Sequence, residues 1–450
     1  MAQCNSAATS RRTAKIAAHI APRACIGEME NRQVEEGGGA PATAGVFAHR
    51  FERRAVKLAF QDASSADERY GGAGDTVVLE GELLLPPTRR TVALIFMHPS
   101  AIMNLLPMPA ALARAGEHVL TVASRFPNND SCLVMEKVLL DLGAVVQHAR
   151  GVLGYARVVL VGWSGGGSLA AFYQSQAEKP AVQRLAATPA GDAVDLSALA
   201  PADALVLMAA HSSRARIFTE WLDPAVLDEA NPARRDPGLD LYGGALGGPS
   251  MPLPLGRDFV ARFRAAQLAR NHKITAWARA RLAALEVEAA GGTGAAGDWR
   301  RGKRDEAFVV SCTQADPRRL DGSLEPNERP SPADDLPAAL LALARENHSP
   351  VGLARFTTLR SWLSQWSAGE SNADGPAALA TVRCPALVVA NGADHLVPPS
   401  HSRALYDAVP HADKEHVVIA GASHYYFGQR DKLEEATTVV LRWLRAHGFE

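Results

Sequence analysis

The apolar run Val158-Val159-Leu160-Val161 passes without a break into Gly162-Trp163-Ser164-Gly165-Gly166-Gly167-Ser168. A short buried strand that stops in G-x-S-x-G, with small residues at helical spacing behind it, leaves few architectures open. It requires a sharp strand-to-helix turn with a serine at the apex, above the helix N-terminus. The flanking glycines are needed because Ser164 would hold a strained backbone where larger neighbours clash. The same turn would aim the N–H of Gly165 at any oxygen that gains negative charge. A glycine-rich turn of this kind can also cradle phosphate, but neither G-K-[ST] nor G-x-G-x-x-G accompanies it.

The neighbouring segments extend the strand–helix pattern. Ala55 to Phe60 and Thr76 to Leu85 read as strands, with turn chemistry at Gly71 to Asp75 between them. Thr91 to Met97 and Ala204 to Ala210 are unbroken apolar runs, the mark of strands buried on both faces. His118 to Ala123 is another short strand. Met108 to Ala115, Cys132 to Arg150 and Gly166 to Ala177 carry helical spacing. From Ser212 to Thr381 this alternation stops. Arg257 to Leu285 and Arg355 to Trp366 predict helices there, with a Gly/Ala linker at 289–297 and a Pro/Asp-rich stretch at 326–337. The pattern then resumes with strands at Ala386 to Ala390 and His416 to Ala420, and helices at His401 to Val409 and Lys432 to His447. An interruption of about 170 residues far exceeds an ordinary connection and must be a substructure of its own.

Bulk properties narrow the function classes. With 47% hydrophobic residues in 450, the chain can bury a sizeable core, and a formal net charge of −1 offers no footprint for nucleic acid or an anionic membrane. No segment approaches the roughly 18 uninterrupted apolar residues of a membrane span. Cys4, Cys25, Cys132, Cys312 and Cys384 are odd in number and match no pairing or zinc motif, so they read as reduced thiols in a cytoplasmic protein. Residues 1–50 read as a disordered extension. Ser10-Arg11-Arg12-Thr13-Ala14-Lys15 is a weak export-like pattern, so the alternative is a cleaved signal, although His19, Pro22 and Arg23 interrupt its apolar region. No metal-ligand cluster is visible and no cofactor is expected.

A serine hydroxyl needs a histidine to take its proton and a carboxylate to orient that imidazole. Asn391-Gly392-Ala393-Asp394-His395 follows the strand at Ala386 to Ala390, which puts Asp394 on the same rim of a parallel sheet as Ser164. The plain alternative for Asp394 is a turn or helix cap. Gly421-Ala422-Ser423-His424-Tyr425 follows the final strand, and among 14 histidines only His424 stands in that position. The alternative for His424 is a solvated loop side chain.

With serine, aspartate and histidine in that order, each behind its own strand, residues 55–211 and 382–447 resemble the α/β-hydrolase superfamily. The resemblance implies an α/β fold with a mostly parallel, doubly wound sheet at 51–211 and 382–450. It also implies a large, mainly helical cap at 212–381, inserted after the sixth strand. Ser164 becomes the nucleophile, His424 the base and Asp394 its orienting acid, with Asp223 as a substitute acid should Asp394 fail. Gly165 supplies one oxyanion amide. Met97-His98-Pro99-Ser100 departs from the family's His-Gly pattern, and since proline has no N–H the second amide falls to Ser100. His98 braces that loop or touches substrate. Trp163 is a candidate substrate contact, and the cap tryptophans Trp221, Trp277, Trp362 and Trp366 either face a bulky apolar substrate, with Trp362 and Trp366 as the candidates, or form the cap's own core. Arg214, Arg216 and Arg360 are candidates for a substrate carboxylate.

The expected activity is hydrolysis of a small-molecule carboxylic ester through an acyl-enzyme. Amide, thioester or C–C cleavage on the same apparatus stays open, as does a non-catalytic ligand-binding homologue. Serine at the nucleophile position disfavours haloalkane dehalogenase and epoxide hydrolase chemistry. Neither nucleic acid nor membrane is an expected partner, and oligomeric state is open.

Overall fold

The computed structural model describes residues 45–62, 75–244, 253, 255–290, 305–320 and 336–450. Residues 1–44, the expected turn at 71–74, and most of the linkers at 289–297 and 326–337 lie outside the described residues.

The chain runs β1 (Glu52–Gln61), β2 (Thr76–Leu85), β3 (Val92–Phe96), α1 (Pro107–Arg114), β4 (Val119–Val122), α2 (Met135–Gly151), β5 (Arg157–Trp163), α3 (Gly166–Ala177) and β6 (Ala204–Met208). Then come α4 (Arg214–Trp221), α5 (Arg257–Ala290), β7 (Ala307–Val309), α6 (Leu336–His348), β8 (Phe356–Thr358), α7 (Leu359–Ser361) and a π-helical turn, Trp362–Trp366. The last elements are α8 (Gly375–Leu379), β9 (Ala386–Asn391), α9 (Pro399–Ala408), β10 (Lys414–Ile419) and α10 (Arg430–Ala446).

Among the described residues the main sheet has eight strands in the order β1-β2-β4-β3-β5-β6-β9-β10. β2 is antiparallel to both neighbours, and the pairs from β4 through to β10 are parallel. Continuous apolar runs are a consequence of that order: every residue of β3, β4, β6 and β9 is buried. Along β5, Val158 and Leu160 enter the core under α2, α3, α8 and α9. Val159, Val161 and Trp163 enter the opposite core, under α1 and α10. Period-two alternation thus loads both faces of one strand.

The stretch between β6 and β9 builds separate cores. Phe218, Ile274, Trp362, Leu363 and Trp366 form one, and Leu241, Phe263, Leu320 and Leu343 another. The helix expected at Arg355 to Trp366 is instead β8, paired with β7, followed by α7 and the π-turn. Its apolar residues have helical spacing, but Arg355 is buried and its guanidinium donates to the carbonyls of Val310, Glu346 and Asn347, holding that end extended. Near the end of the stretch, Ala373, Ala378, Leu379 and Val382 already pack in the sheet's core. No helix among the described residues is long and apolar enough to cross a membrane.

At the end of β5 the backbone of α3 presses against the strand. A Cβ on Gly162 would lie 2.6 Å from the Gly166 carbonyl oxygen and 2.8 Å from Gly167 Cα. Both contacts are backbone, so neither yields by a rotamer change. Gly162→Ala should therefore lower unfolding free energy by about 2–4 kcal/mol in urea titrations; a loss below about 0.5 kcal/mol would show that the turn relaxes freely.

Candidate active site

Ser164 sits at the apex of that turn with φ of 53°, the left-handed region that costs a non-glycine residue about 1 kcal/mol or more. Its strain is balanced by backbone pairing: Ser164 N–H donates to Met208 O at 3.2 Å, and Ser164 O accepts from Gly167 N and His211 N at 3.0 Å each. The serine is half-buried. Gly165 caps α3, so its amide belongs to the first turn, where N–H groups lack intrahelical partners and the helix dipole favours negative charge.

Asp394 and His424 come together. His424 Nδ1 lies 2.8 Å from Asp394 Oδ2, and both side chains are almost wholly buried. Asp394 Oδ1 also accepts from Leu396 N and Val397 N, at 2.8 and 2.9 Å. The turn-forming role and the histidine-orienting role are therefore filled by one carboxylate, one oxygen each. His424 Nε2, the far face of the ring, is buried with no hydrogen-bond partner among the described residues. Trp163, adjacent to the serine, packs edge-on to His424 at 6.1 Å.

The histidine loop is fastened to the aspartate loop by residues to which the sequence assigned no role. Asn391 Nδ2 donates to Ser423 O at 2.8 Å, Tyr426 Oη donates to Asn391 Oδ1 at 2.6 Å, and Ala393 N donates to Ala422 O at 2.8 Å. Asn391 ends β9 and Tyr426 stands two positions after His424, so proximity to the motifs was the available signal. His211 was missed as well, although it follows the apolar β6 run on the same rim; its ring lies 6.5 Å from that of His424.

Several expected residues take other roles. The Ser100 amide is not free for an oxyanion: it donates to His98 Nδ1 at 3.0 Å, beside Ala101 N at 2.8 Å. A loop that must turn after Pro99 satisfies its amides locally, on the imidazole. His98 accordingly braces this loop. Trp163 belongs to the sheet core with Phe96 and Tyr426, supporting the site from below and not lining it. Trp362 is fully buried in the insertion, where its Nε1 donates to Thr275 Oγ1 at 3.0 Å, and Trp366 is equally buried against Phe218. Both serve the insertion's own core. Asp223 is held by Arg235 and Asn347, each at 2.7 Å, and is occupied there. Among the described residues no cluster of three His, Cys, Asp or Glu is arranged to hold a metal ion.

Residues 138–431 match the family described as alpha/beta hydrolase fold. The chain belongs to the alpha/beta hydrolase fold family. An uncharacterised 31.7 kDa protein of Escherichia coli, from the traX-finO intergenic region, is 38% identical over 68 residues, covering 15% of this chain and 24% of the relative. The alpha/beta hydrolase GrgF from Penicillium is similar in structure, with a TM-score of 0.44 and 11% identity over 88% of this chain and 99% of that one. The esterase domain of a Rhodothermus marinus protein gives 0.38 and 11%, over 87% and 99%.

Burial holds His98 and His211 well below the ordinary imidazole value of 6.5. Arg214 and His424 add to this at His98, and His401, His424, Arg214 and His98 at His211. Unfolding returns both to the ordinary value, so below about pH 6.5 the unfolded chain binds more protons and native stability falls as pH drops. The unfolding free energy of His211→Asn should consequently decline less than that of the wild type between pH 7.5 and 5. Parallel pH profiles for the two proteins would contradict the assignment.

Proposed function

We propose that the protein is a serine carboxylic-ester hydrolase working through an acyl-enzyme, with Ser164 as nucleophile, His424 as general base and acid, and Asp394 as the orienting carboxylate. The observation that carries this reading is the buried Asp394–His424 pair, whose Nε2 has no hydrogen-bond partner among the described residues and whose ring packs edge-on to Trp163, the residue before the strained Ser164. Asp394 fixes the proton on Nδ1, which leaves the Nε2 lone pair to accept one from Ser164 Oγ.

Ser164 Oγ attacks the ester carbonyl carbon as its proton passes to His424 Nε2. The carbonyl oxygen becomes an oxyanion, which the Gly165 N–H and the positive end of α3 stabilise. Collapse of this adduct expels the alkoxide, which takes the proton back from His424. Water then attacks the acyl-serine carbonyl with His424 as base, and its collapse releases the acid and restores the Ser164 hydroxyl. The residues between β6 and β9 act as a cap: their Trp362–Trp366 turn lies against the segment before α2, where Ser364 Oγ accepts from Met135 N at 2.7 Å and Gln365 Nε2 donates to Asp130 O at 2.7 Å. Such a cover excludes water and strengthens charge interactions beneath it.

A fluorophosphonate probe should label Ser164 and leave Ser164→Ala unlabelled; a folded wild type that stays unmodified would overturn the assignment. Asp394→Asn should slow p-nitrophenyl ester turnover by about 10³- to 10⁴-fold. Near-normal rates in that variant would remove Asp394 from the mechanism. Tyr426→Phe deprives Asn391 of its hydroxyl donor and should cost about 1 kcal/mol of stability, read from thermal melts.

A further inference from the structure

Arg214 is the charged residue nearest the proposed oxyanion donor. It begins α4 and is only 5% exposed, yet its guanidinium reaches back across the site. A Cβ built on Gly165 would stand 3.1 Å from Arg214 Nη1 and 2.6 Å from His98 Nε2. Two nitrogens therefore converge on the bare face of the residue after the nucleophile. His98 Nδ1 accepts two amides, so the neutral ring carries its proton on Nε2, and both converging groups are donors.

The guanidinium is held rigidly by its other atoms. Nε donates to Gln365 Oε1 at 3.2 Å, the carbon of the fork lies 4.5 Å over the Trp366 ring, and Nη2 reaches Asp130 Oδ2 at a long 3.5 Å. Nη1 has no hydrogen-bond partner among the described residues. Burial lowers the Arg214 pKa while Asp130 acts in the opposite direction, so the charge is only partly compensated. The other titratable groups facing it, His98 and His211, are kept neutral by burial. A buried cation with one long carboxylate contact and one unused donor favours an anionic ligand. Of the three arginines considered from sequence, the other two are spent: Arg216 is half-exposed beside Asp374, and Arg360 pairs with Asp192 at 2.6 Å.

We propose that Arg214 Nη1, with His98 Nε2–H, forms a carboxylate subsite beside Gly165, so that the substrates are half-esters of dicarboxylic acids. The substrate class rests on the ester-hydrolase reading, but the subsite does not. A carboxylate there anchors the acyl chain at its far end while the scissile carbonyl faces Ser164. Arg214 is then a specificity-determining residue.

The test compares mono-p-nitrophenyl glutarate with uncharged p-nitrophenyl hexanoate, as a ratio of kcat/KM values. The wild type should favour the half-ester, and Arg214→Met should lower the ratio by about 10- to 100-fold, the worth of a charge-assisted hydrogen bond. Asp130→Asn removes the competing carboxylate and should raise the ratio. Equal losses on both esters in Arg214→Met, or a wild-type preference for the neutral ester, would overturn the subsite. Calorimetric titration of Ser164→Ala with the half-ester separates the two readings. Binding that disappears in Ser164→Ala/Arg214→Met supports the subsite even if the wild type hydrolyses neither ester, an outcome that would reject the esterase reading alone. Binding indifferent to Arg214 rejects the subsite even if hydrolysis is fast.

Discussion

Close backbone contact at the end of β5 sets the rest of the site. The Ser164 carbonyl accepts from both Gly167 N and His211 N while its amide donates to Met208 O, so one residue is stapled to its own helix and to the neighbouring strand. Those bonds compensate for a left-handed serine and leave no room for a side chain at Gly162. Because the same bonds reach β6, the turn also fixes where His211 and Arg214 leave the sheet. Ser164, the N-terminus of α3 and the start of α4 are in this sense tied to one another.

The Asp394–His424 pair is held by a different device. Asp394 and His424 stand on loops after adjacent parallel strands, β9 and β10, whose register aligns Asn391 with Ile419. Loops leaving such strands at the same level stay within side-chain reach, and Asn391 and Tyr426 close the remaining gap. The pair needs this help because a buried carboxylate that loses its partners is far more costly than one that keeps them.

The sheet was legible because buried parallel strands leave unbroken apolar runs, as at Val92–Phe96 and Ala204–Met208. The loop positions of Ser164 and Asp394 were legible because each follows such a run, whereas His424 follows β10, which is only partly buried and was marked by its place as the last strand. The fate of the Ser100 amide was not legible, since nothing in His98-Pro99-Ser100 announces that an imidazole will take up its N–H. Nor were the roles of the tryptophans: identical residues serve a core or a pocket, and only packing separates them. At Arg355 to Trp366 helical spacing misled, because β8 pairing and the buried Arg355 override it and the π-turn still satisfies the apolar positions.

The long stretch between β6 and β9 begins and ends at one place. Ser213 bridges Asp374, and Gly375 N donates to Ser212 O at 2.7 Å. It is thus a closed excursion clipped at its neck, and the sheet meets the same two chain ends whatever its length. Closing a longer loop costs only about 0.6 kcal/mol per doubling. An excursion of this kind is free to be rebuilt, lengthened or exchanged wholesale while Ser164, Asp394 and His424 stay in place, with one exception. Because Gln365 and Trp366 hold the guanidinium of Arg214, the excursion carries part of the site's charge geometry with it. Remodelling it would displace the Arg214 guanidinium before it disturbed the Asp394–His424 pair.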